Sequence, residues 1–215
     1  MIDVSNLKDT LKTLGFIAYG DIYEKVFSEI GCSLKVDFHA KKLIYPNEIK
    51  GRERNNGFDK KENFVVFECV CRLLLKEYRP EHIELEKEWH LGHDAKGGRA
   101  DICVTDTSGN MLFIIECKTW GREYDKALNN TKSDGAQLFS YWQQEQSCKW
   151  LVLYASDLKG GCIVHKASTI DCSDDANIVL LSKRISPSSF IGMRTPHQPS
   201  MKPGKRPMEG RSMMI

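Results

Sequence analysis

The chain has no apolar run long enough to cross a membrane as a helix. Its first residues, MIDVSNLKDTLK, also lack the apolar stretch that a secretory signal needs. A soluble protein of the cytoplasm is therefore expected. Charge of one sign is not in excess: 31 Lys and Arg stand against 29 Asp and Glu, a formal +2. Contact with a polyanion would have to come from a local patch, because the overall field is too weak to supply it. None of the eight cysteines, at positions 32, 69, 71, 103, 117, 148, 162 and 172, stands in a CxxC pair. That spacing argues against a zinc ribbon, and most of them sit in apolar runs as free thiols acting as small hydrophobes. A GxxxxGK[ST] phosphate loop is missing too, which excludes that class of nucleotide-driven motor.

What is present suits one domain with extensions: 215 residues, 41% hydrophobic and 28% charged. The most informative stretch is GGRADICVTDTSGNMLFIIECKTW, residues 97–120. Ala100 to Thr105 and Met111 to Cys117 read as two strands joined by turn chemistry at Thr107-Ser108-Gly109-Asn110. Four charged groups stand in or beside this apolar hairpin: Arg99, Asp101, Glu116 and Lys118. A turn centred between Ser108 and Gly109 pairs Asp101 with Glu116, and opposed side chains lie roughly 4.5–5.5 Å apart. Lys118, two residues on, shares their face. Two carboxylates that close repel unless a cation intervenes, and Mg²⁺ is commonly held by one or two carboxylates plus substrate phosphates. The plainer alternative is a cross-strand ion pair of Lys118 with either acid. Phe113, Ile114 and Ile115 argue instead for a buried central strand whose terminal charges serve a purpose.

Gly98-Arg99-Ala100-Asp101 followed by Glu116-Cys117-Lys118 resembles the GxxD…ExK pattern of the PD-(D/E)XK nuclease superfamily. Downstream, Gln137-Leu138-Phe139-Ser140-Tyr141 resembles the QxxxY motif of the branch containing the N-terminal nuclease domains of type I restriction enzyme R subunits. Asp…Glu-x-Lys alone is a weak signature; QxxxY at this distance, on a predicted helix, makes it specific. Gly98-Arg99-Ala100 stands where the eponymous Pro would be, a common departure. The likeness extends from Glu62 to about Leu158. It implies a restriction-endonuclease-like α/β core: a helix, a three-strand meander, a helix and a strand, in a mixed sheet flanked by helices.

The resemblance also assigns roles. Asp101, Glu116 and the backbone carbonyl of Cys117 would hold Mg²⁺, with Mn²⁺ able to substitute, and Lys118 would activate or align the attacking water. Gln137 and Tyr141 would position that lysine or the nucleic acid. An acid from the first core helix often joins the metal in this superfamily. Glu68 and Glu62 compete for that place, Glu68 also having an ion-pair partner in Arg72 four residues on. The implied partners are double-stranded DNA and the methyltransferase, specificity or motor subunits of a restriction system; no membrane is involved. RNA as substrate and a catalytically inactive DNA-binding or subunit-binding module remain as alternatives. Without a motor or methyltransferase, the chain looks like a detached or truncated domain.

The remaining segments frame this core. Residues 1–55 read as a small α+β N-terminal extension. It contains a helix over Asn6 to Leu14, an extended piece from Phe16 to Tyr19, and strands at Ile22 to Phe27, Leu34 to Phe38 and Lys41 to Tyr45. Ile49 to Lys61 is a polar loop whose Arg52, Arg54, Lys60 and Lys61 either meet phosphate or are simply solvated. In the nuclease-like domain, 56–183, Asn63 to Tyr78 is an apolar helix stopped at Arg79-Pro80. Ile83 to Trp89 alternates as a strand, with Glu84, Glu86 and Glu88 on one face. Gly92 to Gly98 is expected as a loop, and its His93, like His90 before it, carries no assigned chemistry. Helices follow at Tyr124 to Lys132 and Ala136 to Glu145, interrupted at Ser133-Asp134-Gly135. Strands close the core at Trp150 to Ser156 and Cys162 to Lys166, the first pairing in parallel after a helical crossover. Residues 184–215 are Pro-, Ser- and Met-rich, without periodicity, and are expected to be disordered.

Overall fold

The computed structural model describes residues 1–91, 95–134 and 136–182. The tail expected past Lys183, His93 and the His90 side chain lie outside the described residues.

Helix α1 (Leu7–Thr13) leads into a four-stranded antiparallel meander of β1 (Ile17–Tyr19), β2 (Ile22–Phe27), β3 (Cys32–Asp37) and β4 (Lys42–Ile44). Period-2 alternation sends Tyr23, Phe27, Leu34, Val36 and Leu43 inward, where Leu7 and Leu11 of α1 join them. Helix α2 (Lys61–Leu75) is buried along almost its whole length because it lies between two sheets. Phe67 meets Phe16 and Tyr45 of the N-terminal region at ring-centroid distances of 5.8 and 5.4 Å. Its other side packs on the second sheet. A helix that is apolar nearly all round has this kind of double burial as its cause.

The second sheet has the order β5 (Ile83–Leu91), β6 (Ala95–Thr105), β7 (Met111–Cys117), β8 (Trp150–Lys159), β9 (Cys162–Asp171). All its pairings are antiparallel except β7 with β8. That parallel pair needs a long crossover, supplied by α3 (Arg122–Asp134) and α4 (Ala136–Gln144). A further helix, α5 (Asp175–Ser182), follows β9. One face of this sheet, with Ile102, Ile115, Cys117, Val152 and Tyr154, shares a core with α2 and the N-terminal sheet. The other, with Cys103, Ile114, Leu151 and Leu153, packs on Tyr124, Leu138 and Tyr141 of α3 and α4.

Three local expectations change. Ala95 to Gly98, expected as loop, is already strand β6, and only 92–94 lie outside the described residues. Strands β8 and β9 run on to Lys159 and Asp171, beyond the apolar residues that announced them. Gly160 and Gly161, with φ of 56° and 75°, make the two-residue turn that keeps their ladder in register. Strand alternation predicts Glu86 on one face with Glu84 and Glu88. Instead φ of 54° interrupts the β5–β6 ladder there, and its buried carboxylate pairs with Arg99 Nε at 2.6 Å and accepts from Asn55 Nδ2 at 2.7 Å.

The polar loop after residue 49 lies along the edge of β5. The Leu85 N–H donates to the Lys50 carbonyl at 2.8 Å, and Arg54 pairs with Glu88 at 2.9 Å. The loop thereby covers an edge that would otherwise be open.

Glu68 of α2 is 1% exposed and fully engaged. One oxygen accepts from Arg72 Nη2 at 2.6 Å and the other from the Tyr154 hydroxyl at 2.6 Å, while Arg72 Nε donates to that hydroxyl at 2.9 Å. Removing one member of a buried pair strands the other charge. Glu68→Ala should therefore lower stability by about 3 kcal/mol in urea unfolding; an unchanged midpoint would show that the network contributes nothing.

Candidate functional site

The hairpin register decides whether the acids can meet. In β6–β7 the pairs are Ile102↔Ile115, Cys103↔Ile114 and Val104↔Phe113, and one further step sets Asp101 against Glu116. The turn that delivers this differs from the expected one. Thr105 pairs with Met111 across a bulge, and the Asp106 carboxylate accepts the N–H groups of Ser108 and Asn110 at 2.9 and 2.8 Å. The bulge absorbs the odd residue, so the pairing beyond it is the one a symmetric turn would have produced.

The backbone ladder runs as far as Ile102↔Ile115, and the part-buried Asp101 next to it accepts the Cys117 N–H at 2.7 Å through Oδ2. Among the described residues its second oxygen accepts no further hydrogen bond. Glu116, 5% exposed at its side chain, accepts from Lys118 Nζ at 2.6 Å and lies 3.0 Å from the Tyr141 hydroxyl. Lys118 also reaches Glu62 Oε1, at the start of α2, at 2.9 Å. The ammonium thus bridges a carboxylate from the sheet and one from the helix. Gln137 donates its amide to the Tyr141 hydroxyl, which also hydrogen-bonds the Arg99 carbonyl.

Burial first, and then Glu116 and Glu62, push the Asp101 carboxyl well above its usual range. Glu116 is raised by burial against the opposing pull of Lys118. Lys118 is disfavoured by its own burial, but Glu116 and then Glu62 outweigh this and hold it above the ordinary lysine value. The three acids offer only oxygen donors, which suit a hard divalent cation such as Mg²⁺ better than zinc. Among the described residues no three acidic, histidine or thiol groups gather into a complete cage. A cation here would draw remaining ligands from backbone, water or phosphate, as Mg²⁺ commonly does.

Glu62, Glu116, Lys118, Thr119, Glu123 and Gln137 border a cavity of about 780 Å³, along with Lys60, Lys61 and Lys126; Asp101 does not border it. Glu68 is also absent from its walls, being tied to Arg72 and Tyr154. Of the two rival acids on α2, the structure brings Glu62 to Lys118 and keeps Glu68 away. Arg99 turns its side chain to Glu86 and Glu88 and meets the site only through its carbonyl.

Gly98, in sequence only the first residue of the Gly-Arg-Ala-Asp pattern, contributes to the site by its lack of a side chain. A Cβ there would stand 2.5 Å from Tyr141 Cε1 and 2.9 Å from Cδ1. That ring also stacks on Trp89, with centroids 5.5 Å apart. The glycine lets the tyrosine of α4 lie against β6, which no propensity or periodicity argument reveals.

The comparisons with known proteins bear on this segment. Residues 66–169 match the family model described as the type I restriction enzyme R protein N terminus. The match spans Asp101, Glu116, Lys118, Gln137 and Tyr141, and leaves Glu62 and the N-terminal sheet outside it. No curated protein matches the chain. Residues 66–169 are therefore similar to a restriction-enzyme domain, in an α/β structure with a mixed sheet. No described helix is long and apolar enough to cross a membrane.

Two outcomes follow from the geometry. A carboxyl held above its ordinary value binds its proton more tightly folded than unfolded, so ionising it costs stability. That cost is absent below the unfolded value of about 3.9 and complete above the raised one. Asp101→Asn removes the charge while its amide oxygen can still accept the Cys117 N–H. It should raise the melting temperature by about 2–4 °C at neutral pH in chelator, with the gain shrinking toward pH 4; a fall at neutral pH would show that repulsion is not the governing interaction. Gly98→Ala should cost about 1–3 kcal/mol by driving the Tyr141 ring aside, read by denaturant unfolding.

Proposed function

We propose that this chain is a Mg²⁺-dependent DNA endonuclease domain of restriction-modification type, of the QxxxY branch of the PD-(D/E)XK superfamily, that hydrolyses phosphodiester bonds of double-stranded DNA. The observation that carries this reading is the convergence of Asp101, Glu116, Lys118, Gln137 and Tyr141 from three separate elements, all within the segment similar to a restriction-enzyme N terminus. An ion-pair cluster built only for stability has no need of a second carboxylate facing the first.

Asp101, Glu116 and the Cys117 carbonyl would hold Mg²⁺, with Mn²⁺ as a substitute, and the bound ion supplies Lewis-acid polarisation of the phosphate. Lys118, gripped by Glu116 and Glu62, has its ammonium fixed beside the acids. From there it donates a hydrogen bond to the attacking water or to a phosphate oxygen where negative charge grows. Tyr141 fixes the second oxygen of Glu116, and Gln137 fixes Tyr141. Glu62 takes the place of the helix-borne acid, in preference to Glu68. DNA in the cytoplasm is the partner, together with the methyltransferase, specificity or motor subunits of a restriction system.

The test is nicking of supercoiled plasmid with Mg²⁺ or Mn²⁺. Asp101→Ala, Glu116→Gln and Lys118→Ala should each lose at least about 100-fold in rate, by analogy with removal of one transition-state donor. Glu68→Gln, which keeps an acceptor for Tyr154, should stay within a few-fold of the parent. Equal nicking by parent and Lys118→Ala would refute the mechanism. A parent that binds DNA but cleaves under neither metal would favour the non-catalytic module.

A further inference from the structure

Two residues beyond Lys118, Trp120 gathers two lysines from a different part of the fold. Lys159 Nζ lies 4.2 Å and Lys166 Nζ 4.5 Å from its ring centroid. Lys159 closes β8, and Lys166 pairs with Ala155 on β9. Leu153 and Ala155 face α3, so alternation puts Lys159 on that same face, along with Lys166 opposite Ala155. Because β7 and β8 are parallel, Glu116 and Lys159 lie toward the same, carboxyl end of the sheet. The three residues therefore form a basic shoulder beside the candidate site, on the side of the sheet that carries Tyr141.

Two ammonium groups on one ring repel each other, and among the described residues the one ion pair that either makes is Lys166 with Asp125, at 3.7 Å and with the acid 60% exposed. Lys159 is exposed and has no ion pair among the described residues. The electron-rich indole face is what holds them together. A lysine stem is flexible, and docking it on a ring removes in advance much of the freedom that binding would otherwise have to restrict. Pre-ordered positive charge, offset only by the exposed Asp125 beside Lys166, suits a partner with repeated negative charges. Lys60, Lys61 and Lys126 bordering the cavity carry the same sign toward the acids.

We infer that Trp120, Lys159 and Lys166 form a phosphate-contacting shoulder that engages the DNA backbone next to the scissile bond. The inference rests on the nuclease reading for the identity of the polyanion, while the shoulder itself is defined without any catalytic step.

The experiment measures binding of the full chain to a duplex oligonucleotide in chelator, as a function of salt, so that no cleavage intrudes. Lys159→Gln and Lys166→Gln should each reduce the slope of log K against log salt by about 0.9, and the double variant by about twice that. Lys12→Gln, on the exposed surface of α1, should leave the slope unchanged, and melting temperatures should show all variants folded. A double variant with the parent's slope overturns the shoulder, while plasmid nicking by the parent would keep the nuclease reading intact. A parent that never nicks but whose slope drops in the lysine variants keeps the shoulder and removes the nuclease. A parent with no affinity for duplex at low salt removes the shoulder too.

Discussion

A single ammonium held between two carboxylates ties the site to the fold. Lys118 joins Glu116 at the end of β7 to Glu62 at the start of α2, so the sheet and the helix are fastened where the chemistry would occur. For this to work, α2 must enter the core at one particular place and angle. The N-terminal sheet provides that constraint by covering the helix on the side opposite β7 and β8. The extension, which carries no motif of its own, thereby helps to fix where Glu62 stands.

The same economy operates on the other face. Tyr141 reaches Glu116 from α4, and α4 is part of the crossover that the parallel β7–β8 pair requires. Handedness and length of that connection bring the Gln137–Tyr141 face back over the carboxyl end of β7, where ligands of open α/β sheets commonly sit. The cost is electrostatic: acids that repel one another while buried are an unfavourable way to end a strand. The surrounding structure over-determines them through Lys118, Tyr141 and the Cys117 N–H.

Much of this was legible in the chain. Apolar periodicity located α2 and the strands, and counting across a turn gave the register of Ile102 with Ile115 from which the meeting of Asp101 and Glu116 was expected. Spacing put Gln137 and Tyr141 on one helical face. What stayed hidden depended on contacts far apart in sequence. Glu68 and Glu62 look equally suited from their positions, and only Tyr154, 86 residues on, reveals that Glu68 is already engaged. Glu86 reads as one of three alternating strand acids, and nothing in that pattern shows that Asn55 and Arg99 draw it in. Trp120 gives no sign of its lysines, since they arrive on a hairpin whose length was fixed by Gly160-Gly161 and not by the apolar pattern.

The bulge at Thr105 and Met111 has an effect on how this protein can vary. Because the ladder is re-set above it, the partnering of Ile102 with Ile115 and of Val104 with Phe113 is enforced by core packing and not by the geometry of the five residues at the tip. Those residues, Asp106 to Asn110, are free to lengthen or to accept a grafted peptide without moving the acids at the far end of the hairpin. The tip is a natural attachment point for a reporter or a tether, remote from the paired acids yet rigidly connected to them.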